Sequence, residues 1–292
     1  MQRVSNGYTI IEVLIFLAVS GMIFFASITV INGKSGHTQF TESMRDLNSK
    51  IQDWVNDVST GYPGSSLGQK TCTITAAVGN PRLRIDDSAP PASYSPSCVF
   101  IGKAIQFTDS SYSSPSESSK VYAYSVFGRR LNDSNELVSS MREALPTAPM
   151  GKKPPNFLGN TDLSEEFNLP GSIRVTKVAT SPSTTPTSHL AGFYSSFNNE
   201  QSTDSNGSQD LKAFQYPLDN QAFKADEVFD CLAAIGETST TSTCARPGLD
   251  NPAPLNTWTV CLSDGVDTGV LTITSSPSGL GASTRMEFKP CP

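Results

Sequence analysis

Apolar and polar positions divide this chain into three stretches with different periods. From Tyr8 to Ile31 every residue is apolar or small and neutral except one acid, Glu12. As a helix these 24 residues would measure about 36 Å, enough to cross a hydrocarbon core of about 30 Å. From Phe40 the pattern changes. Phe40, Met44, Leu47, Ile51, Trp54, Val55 and Val58 recur at steps of three and four, which predicts an amphipathic helix with one buried stripe. Glu42, Arg45, Asp46, Lys50, Asp53 and Asp57 fall on its other faces, and Gly61-Tyr62-Pro63-Gly64 stops it. Asn32, Gly33 and Gly36 between the two segments are poor helix interior. They predict either a flexible joint or a tolerated weak spot.

Beyond Gly64 the period drops to two. Short β-branched and aromatic runs at Cys72–Ala76, Cys98–Phe107, Val121–Phe127, Ile173–Ala179, Ala191–Phe197, Thr257–Leu262, Val270–Thr274 and Thr284–Phe288 predict strands. Polar runs such as TDSSYSSPSESSK, TSPSTTPTS and NNEQSTDSNGSQD read as loops. A second helix is expected over 134–145, capped by Asp133 with Glu136 three residues on and ended by Pro146. The fold class expected is therefore α+β: a long amino-terminal helix packed on an antiparallel β-sheet domain with long loops. Its segments are an apolar helix at 8–31, an amphipathic half at 32–60 and a β-rich domain at 61–292. PTAPMGKKPPNFLGN near 146–160 either divides that domain or marks an insertion, and a single elaborated domain is the reading taken.

Composition adds a compartment. Charged residues make up only 16% of the chain, with 21 Gly and 20 Pro, as suits a loop-rich β domain facing water. A net charge of −6 argues against nucleic acid as a partner, and Arg129–Arg130 and Lys152–Lys153 read as solvated pairs. All six cysteines, Cys72, Cys98, Cys231, Cys244, Cys261 and Cys291, lie on one side of the apolar segment. With no CxxC pair and two histidines, disulfides in an oxidising compartment are a better expectation than zinc. Nearness in sequence suggests Cys72–Cys98, Cys231–Cys244 and Cys261–Cys291.

Candidate catalysis is thin. A Ser–His–acid triad would need His37, beside the apolar segment, or His189, in a Pro/Ser/Thr loop, and both read as solvated. No phosphate-binding G-x-x-x-x-G-K-[ST] loop occurs. No cofactor is expected and the chain does not read as an enzyme. Asp264 and Asp267 in SDGVDTG offer hard oxygens to calcium, but the same residues are ordinary turn chemistry.

Glu12 is the residue that the apolar segment does not explain. An acid at the middle of a membrane costs about 2.5–3.5 kcal/mol, and intramembrane acids normally face a partner. No basic residue lies within the segment. A cut between Gly7 and Tyr8 would create one cation, the α-amino group of Tyr8, about 6 Å along the helix axis from Glu12. Two staggered copies could set one carboxylate against the next amine.

The stretch GYTIIEVLIFLAVSG resembles the amino terminus of type IV pilins and type II secretion pseudopilins. The resemblance covers about residues 1–60. It implies that Gly7 ends a leader removed by a prepilin peptidase and that Tyr8 is the first mature residue and is N-methylated. Thr9 follows it, and Glu12, fifth in the mature chain, guides assembly. Tyr8 stands where Phe is commoner, and no Pro interrupts the apolar helix. The function implied is a structural one: a pilin-like subunit, of minor type given its bulk, assembled into a helical filament and suited to an adhesive or tip role. Its partners would be other pilin subunits, the peptidase and an assembly platform. It would begin as a single-pass inner-membrane precursor with its carboxyl-terminal domain outside the cytoplasm, and it would end on the cell surface. A secretion pseudopilin and a membrane-anchored binding module that never polymerises, recognising a host surface or other ligand, are the alternatives. The resemblance also offers a calcium precedent for the late loop holding Asp264 and Asp267.

Overall fold

The computed structural model describes residues 9–62, 71–77, 80–86, 98–108, 118–129, 131–132, 134–138, 144, 164–181, 189–195, 211–216, 253–275 and 282–291. Expectations for Gly7, Tyr8, Arg130, Lys152–Lys153, Cys231, Cys244, the 146–160 boundary and most of the polar loops lie outside them. The chain divides into two compact units, one through Glu42 and one from Ser43 to Pro292. The division falls within the amphipathic half of the helix.

One helix, α1, spans Ile10–Thr60. It runs unbroken through Asn32–Gly36, so that stretch is a tolerated weak spot. Extending an existing helix adds a hydrogen bond per residue, which offsets the roughly 1 kcal/mol that each interior Gly costs. Gly61, with φ of 69°, accepts the left-handed conformation that closes the last turn, and Tyr62 N–H donates to the Asp57 carbonyl at 2.7 Å.

In the second unit the predicted stripe is core: Met44, Leu47, Ile51, Trp54, Val55 and Val58 are all buried. Three antiparallel sheets accompany it. β1 (Thr71–Ala77) and β2 (Asn80–Asp86) form a hairpin. β3 (Cys98–Phe107), β4 (Lys120–Arg129), β5 (Ser164–Asn168), β7 (Leu190–Ser195), β8 (Leu211–Tyr216) and β9 (Ala253–Pro254) form a six-stranded sheet ordered β5-β4-β3-β7-β8-β9. β6 (Arg174–Ser181), β10 (Thr257–Ser263), β11 (Thr268–Ser275) and β12 (Ala282–Glu287) form a four-stranded sheet ordered β12-β11-β10-β6.

Register decides which side chains meet the helix. Lys103, Ser125 and Phe193 stand side by side across β4-β3-β7, as do Ile105, Ala123 and Ala191. Glu165 of β5 pairs with Ala123 and so shares that face. In β10 of the four-stranded sheet the period is two except at Cys261, which is buried on the outer side. Trp258, Val260 and Leu262 are buried, while Thr257, Thr259 and Ser263 are half-buried on the outer side. Phe107 meets Trp258 edge to face at 4.9 Å between ring centres, which joins the two larger sheets. Gly102 has no room for a side chain, because a Cβ there would run into the Phe193 carbonyl and the Tyr194 ring.

Two expectations need correction. The helix expected over 134–145 is absent from residues 134–138, whereas Ala144 is helical and the residues between lie outside the described set. Leu131 bridges to Leu137, Asn135 takes a φ of 61°, and the Asn132 side-chain carbonyl accepts from the amides of Ser134 and Glu136. A local side-chain acceptor has captured the amides that a helix would have used. His189 is not solvated: only 3% of it is exposed. Its carbonyl accepts from Phe107 N–H at 3.0 Å, so the ladder between β3 and β7 draws it inside.

Cys261 and Cys291 are joined by a disulfide, with Cα atoms 5.8 Å apart across a sequence separation of 30. Closing a loop of that size contributes about 2–4 kcal/mol in the chain-entropy account. It ties the carboxyl-terminal tail to the central strand β10. Cys72 and Cys98 lie in β1 and β3, but their side chains are outside the described set.

Candidate functional site

At the amino-terminal end of α1, the Thr9 carbonyl accepts from Glu12 N–H at 3.1 Å and Val13 N–H at 3.3 Å, which starts the helix. Thr9 and Glu12 are both exposed, and Glu12 is the acid of the first turn. The helix dipole favours a carboxylate there by about 0.3–1 kcal/mol. Ile10–Ile28, 19 residues, is long and apolar enough to cross a membrane, and none of it is buried. Ile10, Phe16, Met22 and Phe25 each expose more than seven-tenths of their surface. The span is long enough for an anchor, and a signal sequence passes the same test.

The second constellation lies in the Ser43–Pro292 unit and was not anticipated. Lys103, in the middle of β3, is 1% exposed, and its Nζ donates to Asp57 Oδ2 and to Glu165 Oε1, each at 2.7 Å. Glu165 Oε2 accepts from Lys50 Nζ at 2.8 Å and from the Trp54 indole N–H at 2.9 Å. Lys50 also lies over the Trp54 ring, 5.4 Å from its centre. Helix positions 50, 54 and 57 are therefore bound to β3 and β5 by one ionic cluster. Lys50 and Asp57, which fall outside the apolar stripe, also engage the sheet.

Burial acts to raise the Glu165 carboxyl, but donation from Lys103, Lys50 and Trp54 outweighs it and holds the group down at about 2, from an ordinary 4.5. Its ionised form therefore stabilises the fold at any pH above 4.5, and that contribution is lost as pH falls toward 2. Because the side chain is 38% exposed, solvent screening reduces the gain to about 1–2 kcal/mol. Thermal unfolding of the parent and Glu165→Gln between pH 6 and 2.5 checks this. The stability gap should close on acidification, and a pH-independent gap would contradict it.

The cluster was legible in part. Lys103 shares the inner face of VFIGKAIQF with Ile105 and Phe107, so strict alternation alone marks it as a buried cation needing acids. Its partners sit 46 residues before it and 62 after it, a distance that no local pattern spans.

Asp264 and Asp267 occupy the β10–β11 turn, where Gly265 takes a φ of 97°. Asp264 Oδ1 accepts from the amides of Val266 and Asp267 at 2.9 and 2.7 Å, and Ser263 Oγ accepts from Gly265 N–H and donates to the Asp267 carbonyl. This carboxylate is engaged by its own turn. Among the described residues no three His, Cys, Asp or Glu side chains gather in a metal-binding group.

One further motif bears on nucleophilic chemistry. Gly64-Ser65-Ser66-Leu67-Gly68 has the G-x-S-x-G spacing of a nucleophile elbow. That turn needs a strand before it and a helix after it, whereas here α1 precedes and β1 follows. The residues themselves lie outside the described set.

Comparisons with protein-family models, with curated proteins and with solved structures returned no match.

Proposed function

We propose that this chain is a pilin-like structural subunit, inserted in a membrane, cut after Gly7 and assembled into a filament through its apolar helix. The observation that carries the reading is the exposed carboxylate of Glu12 at the head of an apolar and wholly unburied helix. Burial of helix faces between copies supplies affinity at about 25 cal/mol per Å² of apolar surface. Glu12 sets register by meeting the cation that cleavage creates on the next copy. Ile10–Ile28 reaches about 28 Å, so the same helix serves lipid before assembly and neighbouring helices after it. The sheet-rich unit is the head that such a helix would display.

The processing step is testable on its own. Gly7→Ala should leave an uncut precursor in the membrane, seen as a mass larger by the seven leading residues. A chain still beginning at Tyr8 despite that change would contradict the proposal.

A further inference from the structure

The cluster around Lys103 does more than pair buried charges. We infer that it is a mechanical clamp, the feature through which tension applied along α1 is transferred to the six-stranded sheet. This rests on the reading of the chain as a fibre subunit only for where the tension arises.

The argument starts from geometry. Lys50, Trp54 and Asp57 lie at intervals of four and three, on one side of α1, and cover about 10 Å of its axis. All three are held by groups of the sheet: Trp54 and Lys50 by Glu165, and Asp57 by Lys103. A pull along the helix axis loads contacts made across the helix–sheet interface together, in shear. The contacts are short, between 2.7 and 2.9 Å, and hydrogen bonds of this kind weaken steeply when stretched or bent. Their free energy is therefore spent over a small displacement, which means a high force. Apolar burial of Met44, Leu47, Ile51 and Val58 is non-directional and yields gradually as the helix slides. Two sheet residues converge on the clamp, Lys103 in interior strand β3 and Glu165 in edge strand β5. The load therefore enters the sheet at two strands, with β4 hydrogen-bonded between them. Equilibrium stability gains little from such an arrangement, since apolar or neutral groups of the same shape replace a buried ion cluster at little cost. A clamp is what the same arrangement does well.

The test is single-molecule pulling on the full chain in detergent micelles, tethered at its two ends. The variant combines Lys103→Met, Asp57→Asn and Glu165→Gln, which keeps side-chain volumes. Its thermal unfolding should stay near the parent's, while the first rupture at fixed force speeds up on the order of 10-fold or more. Gln52→Ala removes a single helix–sheet bond to Thr284 outside the cluster and should change the rupture rate far less. If the combined variant does not fold, Asp57→Asn and Glu165→Gln made singly should each give a smaller acceleration. Equal rupture rates in parent and variants overturn the inference. So does acceleration by Gln52→Ala as large as by the cluster. Pulling needs no filament, so a chain found uncut in cells would end the fibre reading and leave the clamp standing. Equal rupture rates would do the reverse.

Discussion

Glu12→Ala is expected to leave the protein in the membrane and to remove it from filaments. Retention follows because the substitution deletes the one acid from an otherwise apolar span, which lowers the cost of insertion. Loss of assembly follows because the amine on the neighbouring copy would be buried without its counter-ion. Truncating one side of a desolvated charge pair costs about 2–5 kcal/mol, which is on the order of 30-fold or more in incorporation. The competing account of Glu12, as an acid that favours the start of its own helix, predicts a loss of about 0.3–1 kcal/mol and intact filaments. Comparing the sheared surface fraction with the membrane fraction separates the two. Normal amounts of Glu12→Ala in filaments would remove the electrostatic part of the proposal.

The second large effect concerns the head. Converting Asp57→Asn and Glu165→Gln together leaves the Lys103 ammonium 1% exposed and without a negative partner in its cluster. Breaking a buried ion cluster from one side costs about 3–5 kcal/mol, because the remaining charge stays desolvated. Adding Lys103→Met to the same background should restore most of that loss, since the desolvated charge is then gone. Denaturant unfolding of the parent, the double and the triple variant measures both steps. A double variant within about 0.5 kcal/mol of the parent, the range of an ordinary surface change, would mean that water reaches Lys103 and that the cluster does not hold the helix.

How much of this was legible in the sequence depends on the reach of each signal. Helical periodicity located the buried stripe from Met44 to Val58, because each contact repeats within a turn. All eight segments rich in β-branched and aromatic residues carry a strand. Four strands escaped: the two-residue β9, too short for any pattern, and three whose composition hides them. NPRLRID in β2 and SEEFN in β5 are too charged, and LKAFQY in β8 is short and emerges from a polar run. Their pairing is a tertiary gain, and intrinsic preference for strand is weak beside it. The start of the helix expected over 134–145 shows the opposite case: residues 134–138 lost amides to one Asn132 side chain, while Ala144 farther along is helical. For the site, Glu12 was plain because an acid in an apolar run contradicts its surroundings. The Lys103 cluster was not, because its meaning lies in five residues brought together from α1, β3 and β5.

Intact mass of the protein taken from its native membrane tests the central claim most directly. The proposal predicts a chain that begins at Tyr8, with a methyl group on its amine and Gly7 and everything before it gone. A chain that still begins at Met1 would have no amine beside Glu12, and a filament held in register by that pair would be contradicted.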